Sequence, residues 1–365
     1  MDPKLSNITT NNDVLEFTLS DIDVSLANSI RRVILSEIPT NVFRTETHEE
    51  NKCNIEINTT RLHNEIIKQR LSCIPIYMDL DELDILPDNY IMTLDVKNDT
   101  PSTIYVTSGD FKIINKTTST PLKEAEIHRI FPKDPITQDY IDLVRLRPQI
   151  SDTIPGEHLK LTAEFSICTA QTNSMFNVVS KCSYGNTIDP TKAKQKWEAK
   201  AKDLTKDDDI EFHKKNFYLL DAQRCFVENS FDFVIQSLGM YDNQKIVKKA
   251  VEILYEKFEA MKQAVASKLV TILHSNTTME NCFDIKLENE DYTMGPVLRY
   301  ILYMKYYDKN KVLNFCGFKK DHPHDNHSIL RLALKESGDN SKIQALLEDA
   351  CDEAIFVYKK LYNML

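Results

Sequence analysis

Between Val14 and Leu19 apolar and polar side chains alternate, the period of a half-buried strand. The period then lengthens. Leu26, Ile30, Val33, Ile34 and Ile38 recur every three to four positions behind Ser25, an N-cap residue type, until Pro39 stops them, so a strand feeds an amphipathic helix. Residues 42–58 read as two further strands, and Leu62, Ile66, Ile67 and Leu71 as a short helix ending before Pro75. From Asp79 to Gly156 acidic and proline-bearing segments separate β-rich runs such as YIMTLDVK, which predicts an inserted, mainly β unit. A strand resumes at Leu159, a second follows in NSMFNVVSKCSYGNTID with a Gly-Asn turn, and SFDFVIQSLG supplies a third.

Asp242 opens the longest periodic stretch. Ile246, Ala250, Leu254, Phe258, Met261, Val265, Leu269 and Ile272 predict one helix of about 30 residues and ~45 Å, longer than one small sheet can cover. CFDIKLEN then reads as a strand, a helix starts at Thr293, and VLNFCGF and SILRLALK are strands. Ile343, Leu347, Ala350, Ala354, Val357 and Leu361 stripe a last helix. The order strand, capped helix, strands, long striped helix therefore occurs twice. DVSLANSIRRVIL from Asp23 and DYTMGPVLRYILY from Asp291 align without a gap, Asp23 with Asp291, Ser25 with Thr293 and Arg31 with Arg299.

A small sheet with two striped helices leaves apolar surface uncovered, and two such units can bury it against each other about a pseudo-two-fold axis. The repeat predicts an internal dimer in an α+β chain, with Leu26, Ile30, Phe258, Met261, Val265, Leu298, Ile343, Leu347, Ala354 and Val357 at its interface. The tether between the halves fixes their ratio at one to one. Expected domains are 1–76 with 159–275, the β insertion 77–158, and 276–365.

Composition narrows the chemistry. The chain has 365 residues, 42% hydrophobic and 27% charged, a globular balance that exceeds one ordinary core. No apolar run reaches membrane-span length and the first residues lack a signal-peptide stretch, so an intracellular, reducing location is expected. A net charge of −10 disfavours direct nucleic-acid binding. The eight cysteines include no Cys-x2-Cys pair and read as buried, reduced thiols. Residues 191–215 are almost wholly charged, with Asp203, Asp207, Asp208 and Asp209 offsetting the lysines, and read as a solvated helix or mobile loop. DHPHDNH, with His322, His324 and His327, offers metal-type ligands but no second ligand cluster. The acidic runs at 79–84 and 207–209 lack acid–base spacing. No metal, cofactor or catalytic site is expected.

ANSIRRVILSEIPT at 27–40 and TRLHNEIIKQRLSCIPI at 60–76 resemble the signature of the α-type assembly subunit of multi-subunit DNA-dependent RNA polymerases, in its third-largest-subunit form. Asp291, Thr293, Met294, Gly295, Leu298 and Arg299, with Gly317, Phe318, Lys319, His322 and Pro323, resemble that family's small α-like partner. Tyr292 and Pro296 depart from its usual His and Asn, and the zinc-binding cysteines of some large α-like subunits are absent. Both partners in one chain resemble the arrangement of large cytoplasmic DNA viruses. The resemblance implies a non-catalytic platform that recruits the second-largest and then the largest polymerase subunit, with small subunits nearby. It implies action in infected cytoplasm, in a virion or otherwise in a nucleus. It places Arg31, Arg32, His63, Asn64, Glu65 and Arg70 toward the catalytic subunits, where paired arginines suit bidentate carboxylate recognition. The contrasting readings keep Arg31 and Arg32 inside their own domain, or make the chain a stand-alone homodimeric binding module. With Leu365 on a packing helix, no appended DNA-contacting domain is expected.

Overall fold

The computed structural model describes residues 1–151, 153–202, 204 and 209–365, so Asp203, Asp207 and Asp208 of the charged stretch lie outside the described residues. In chain order the first elements are β1 Lys4–Asn11, β2 Val14–Ser20, α1 Val24–Ser36, β3 Thr40–Phe43, β4 Cys53–Asn58, α2 Asn64–Ser72, α3 Ile85–Asn89 and β5 Tyr90–Lys97. Then come β6 Ile104–Thr107, β7 Lys112–Asn115, α4 Glu124–Ile130, β8 Asp142–Leu146, β9 His158–Cys168, β10 Val179–Ile188, α5 Pro190–Lys202 and α6 Ile210–Leu219. The last are β11 Phe226–Ser237, α7 Asn243–Ala266, β12 Thr271–His274, β13 Cys282–Glu288, α8 Gly295–Leu302, β14 Leu313–Lys319, β15 His327–Leu334 and α9 Asn340–Tyr362.

Two compact units result, one of Met1–Leu35, Val179–Gln236 and Asn243–Leu365, the other of Ser36–Val178 and Ser237–Asp242. The first unit holds two four-stranded sheets with one plan, β1-β2-β11-β10 and β12-β13-β15-β14. In each sheet the second strand leads into a short helix, α1 or α8, and the third into a long one, α7 or α9. Alternation on the strands gives each sheet one apolar face: Leu15, Phe17 and Leu19 on β2 and Phe283, Ile285 and Leu287 on β13 are buried.

Between the short helix and the following strand the repeats diverge. After α8 a π-helical segment, Tyr303–Lys309, leads almost directly to β14, whereas after α1 the chain makes nearly all of the second unit. This unit is larger than the 77–158 expected, because β3 and β4 pair with β9 rather than with each other, and β9 continues onto β5 and β7. One core joins them, with Phe43 and Phe165 ring centroids 5.1 Å apart and Phe111 set edge-on to Phe131 at the same distance. Arg70 donates Nε and Nη2 to the Leu143 and Asp142 carbonyls, both at 2.7 Å, fastening α2 to β8.

Two further expectations change. The long helix has 24 residues, ~36 Å, and ends at Ala266. Lys268 takes a left-handed φ of 56°, the Leu269 N–H returns to the Ala264 carbonyl, and Ile272 belongs to β12 opposite Ile285. Gly185 and Asn186 lie within β10 rather than in a turn. The charged stretch, expected as a solvated helix or mobile loop, is helical in its described residues, as α5 and α6, which pack on each other through Trp197 and Phe217.

Candidate functional site

In the first unit α7 lies antiparallel to α9. Tyr255 faces Tyr362 and Phe258 stacks on Tyr358, both at 5.8 Å between centroids, and Lys262 pairs with Asp352 at 2.6 Å. Shifting α7 along the sequence so that Phe258 falls on Tyr358 also carries Ala250 onto Ala350, Val251 onto Cys351 and Leu254 onto Ala354, all buried. The two helices thus meet through equivalent faces, and Phe258 and Tyr358 meet as equivalents, as residues on a pseudo-two-fold axis do.

The short helices cross the same seam with polar groups. The buried Ser29 hydroxyl donates to the Leu26 carbonyl at 2.6 Å, so its oxygen is left to accept from the Tyr358 hydroxyl at 2.6 Å. Full burial pushes the Tyr358 phenol far up, keeping it neutral and a donor. Arg32 reaches from α1 into the second repeat, donating Nη2 to Asp291 Oδ2 at 2.6 Å and Nε to Thr293 Oγ1 at 3.0 Å. Its pseudo-equivalent is Tyr300, and the equivalent of Asp291 is Asp23. Burial raises the Tyr300 pKa and the charge of Asp23 raises it further.

Each Asp shapes its own helix entry. Asp23 Oδ1 accepts from the Ser25 N–H at 2.8 Å, and Asp291 Oδ1 accepts from the Thr293 N–H at the same distance. In the first repeat the cap is therefore Asp23, two residues before the Ser the sequence suggested, whereas in the second Asp291 holds a turn through 292–294 and α8 starts only at Gly295, with Met294 at its N-cap. A Cβ on Gly295 would stand 1.9 Å from Phe318 Cε2, so α8 packs on β14 at a distance only glycine permits.

Of the expected interface residues, Leu26, Ile30, Phe258, Val265, Leu298, Ile343, Leu347, Ala354 and Val357 are buried in this unit, and Met261 is half-buried. Ser29 and Tyr358 escaped notice because a hydroxyl in an apolar stripe is ordinarily a break in the pattern; the cue was their helical spacing from Leu26 and Ala354. The residues expected to face a partner fall into two groups. Arg31 donates Nε to Asn28 at 3.0 Å on its own helix, and Arg32 differs from expectation in turning its guanidinium onto the second repeat. His63, Asn64 and Glu65 are exposed at the start of α2 in the other unit, Asn64 accepting from Asn58 at 2.8 Å, while Arg70 is tied to β8. In the DHPHDNH loop the His322 Nδ1 accepts from the His324 N–H at 3.1 Å, and among the described residues no three His, Cys, Asp or Glu side chains converge as a metal site.

Burial alone would raise the Asp291 pKa, but the Thr293 N–H and hydroxyl and the Arg32 charge outweigh it and hold the carboxyl below its ordinary value. With the folded pKa depressed, the stabilisation is complete above about pH 4 and is lost as pH falls through the folded pKa. Arg32→Ala is expected to cost about 1–2 kcal/mol at neutral pH, the pair being partly exposed. Urea melts at pH 7 and pH 3 check it: the difference from the parent chain shrinks at the lower pH.

A sheet with one short and one long helix, written twice and closed helix on helix, defines a dimerisation module whose two halves share a chain. Residues 16–258 match the family described as the RNA polymerase Rpb3/Rpb11 dimerisation domain, and residues 282–363 match a second family of the same description. The chain belongs to the RNA polymerase Rpb3/Rpb11 dimerisation-domain family. It is similar to DNA-directed RNA polymerase subunit Rpo3 of Pyrococcus furiosus, 39% identical over 104 residues, 27% of this chain and 36% of that protein. The match to the archaeal relatives thus spans little more than a third of their length. Over a longer stretch it is similar to the DNA-directed RNA polymerases I and III subunit rpac1 of Dictyostelium discoideum, 28% identical over 312 residues, 73% of this chain and 83% of that protein.

Proposed function

We propose that the chain is a non-catalytic scaffold subunit of a DNA-directed RNA polymerase, a fusion of the large and small α-like partners that supplies the dimer platform in one piece. The observation that carries this reading is the duplicated module: two repeats of one topology, each matching a dimerisation domain of the same polymerase family, meet through equivalent faces of α7 and α9. Joining them by the chain removes the bimolecular step that separate partners need. On this reading the second-largest subunit docks first and the largest second, with small subunits alongside, and neither sequence-specific nucleic acid nor a membrane is a partner.

Arg31 and the exposed start of α2, His63, Asn64 and Glu65, offer groups to those subunits, while Arg32 and Arg70 act by fixing their helices. The site of action is intracellular and reducing, as six buried free cysteines favour, either the cytoplasm of a cell infected by a large DNA virus or a nucleus.

The test is purification of the tagged chain from its native cells, with co-purifying proteins identified and promoter-independent RNA synthesis assayed. Recovery of two chains far larger than 42.2 kDa with RNA synthesis supports the scaffold. Recovery of the chain alone transfers the weight to a stand-alone module. In the same assay, His63→Ala combined with Glu65→Lys is expected to lower recovery of the large chains at least tenfold with melting unchanged, since both side chains are exposed.

A further inference from the structure

Under the pseudo-two-fold axis of the first unit, residues of α1 and α8 correspond as Asp23 does to Asp291, and residues of α7 and α9 as Phe258 does to Tyr358. The backbone keeps this symmetry, and the side chains break it where the repeats touch. Glu259 and Lys359 are each other's equivalents, and they pair across the axis at 2.5 Å. Near them Lys248 stands over the Tyr362 ring, 4.7 Å from its centroid, and the equivalent of Tyr362 on the first repeat is Lys262. In the buried part of the seam Ser29 and Tyr358 share a hydrogen bond. Their equivalents, Val297 and Phe258, are fully buried and have no polar side-chain atom between them.

Two copies of the chain that met like with like would close first repeat on first and second on second, each about a true two-fold axis. A residue that meets its equivalent in the closed chain would then meet itself. Glu259 would face Glu259, and Lys359 would face Lys359. Contacts off the axis would occur twice: Lys248 would reach Lys262 of the other copy, and each Tyr358 hydroxyl would reach Val297, which accepts no hydrogen bond. A buried phenol without a partner loses its hydration and gains nothing, which makes it the larger obstacle. The like charges, with Lys359 exposed and Glu259 half-buried, repel more weakly but set partner choice between paired helices. Arg32 discriminates less, since in a first-with-first pairing it would meet Asp23, the equivalent of Asp291.

We infer that these asymmetries form a pairing code in which Glu259, Lys359, Lys248, Ser29 and Tyr358 make each repeat accept the unlike repeat and refuse a second copy of itself. The first repeat is specific for a helix that brings a lysine and a phenol hydroxyl to the axis, as α9 does. Two copies of the chain can therefore join through this seam only by exchanging halves. The inference stands on the seam alone and holds whatever larger chains the protein assembles with.

The test refolds the full chain from urea as a mixture of unlabelled and heavy-isotope-labelled molecules, adds a zero-length carbodiimide, and reads lysine–carboxylate links by peptide mass spectrometry. In the closed chain Lys262 lies 2.6 Å from Asp352. A first-with-first pairing would instead put it beside Glu252 of the other copy, the equivalent of Asp352. Within one helix Glu252 and Lys262 are about 15 Å apart, too far for such a link. The parent chain should give Lys262–Asp352 links and only background mixed-isotope Lys262–Glu252 links. The latter should rise at least tenfold when Ser29→Val, Tyr358→Phe, Lys248→Gln, Glu259→Gln and Lys359→Gln are combined. They should also rise in a mixture of parent chain with Glu259→Lys, a single change near the surface that keeps the fold and sets Lys against Glu. Urea midpoints test the buried half separately: Ser29→Val lowers the midpoint, and adding Tyr358→Phe returns most of the loss, because the pair then matches Val297 and Phe258. Equal yields of the Lys262–Glu252 link in parent and variants would overturn the proposal, as would a Ser29→Val defect that Tyr358→Phe leaves uncorrected.

Discussion

Phe258→Ala is expected to destabilise the first unit by about 3–5 kcal/mol, a third or more of the stability of an ordinary domain. The ring is fully buried and stacks on Tyr358 at an interplanar angle of 21°, so its removal opens a cavity on both sides of the pseudo-two-fold axis at once. Phe258→Leu retains most of the volume and should cost about 1–2 kcal/mol. Urea unfolding followed by circular dichroism measures both. The single tryptophan, Trp197, sits in the α5–α6 hairpin and reports on that element instead. A midpoint for Phe258→Ala within error of the parent would mean that the helices do not depend on this contact.

Val357→Asp should do more. Val357 is fully buried on α9, one residue before Tyr358, so a carboxylate there is taken out of water. An unpaired buried charge costs several kcal/mol even after its pKa rises, enough to part the two repeats. The expected result is a larger Stokes radius and loss of amide-exchange protection in α7 and α9. Amides of β5 and β9, in the other unit, should remain protected. Partial rescue at pH 4, where a raised carboxyl is neutral, would tie the effect to charge rather than to shape. Unchanged compactness would contradict an internal dimer held by these helices.

Much of this was legible in the chain because burial imposes a period. Phe17, Leu19, Phe283 and Ile285 alternate and are strands; Leu254, Phe258, Leu347 and Val357 recur at helical spacing and lie in the long helices. The gapless match from Asp23 and Asp291 announced the repeated helix entries, and both Asp side chains hold them. Periodicity misled where a chance continuation crossed a boundary: Leu269 and Ile272 kept the spacing of α7, but Leu269 is 77% exposed and the chain has already turned at Lys268. Strand partners were out of reach, since nothing local in NVF or NIEI shows that both lie along β9, and the second unit was therefore drawn too small. The charged stretch was legible as helical but not as two packed helices, because one tryptophan and one phenylalanine suffice for so small a core. Arg32 shows the limit for sites: sequence places an arginine on a helix, but only the fold shows Asp291 within 2.6 Å of it.

The most direct measurement is the native mass of the active complex with its subunit count. The account predicts one copy of the 42.2 kDa chain for each pair of large polymerase chains, because one molecule holds both halves of the dimer. Two copies per complex, or a pair of these chains with no large subunit and no RNA synthesis, would contradict it.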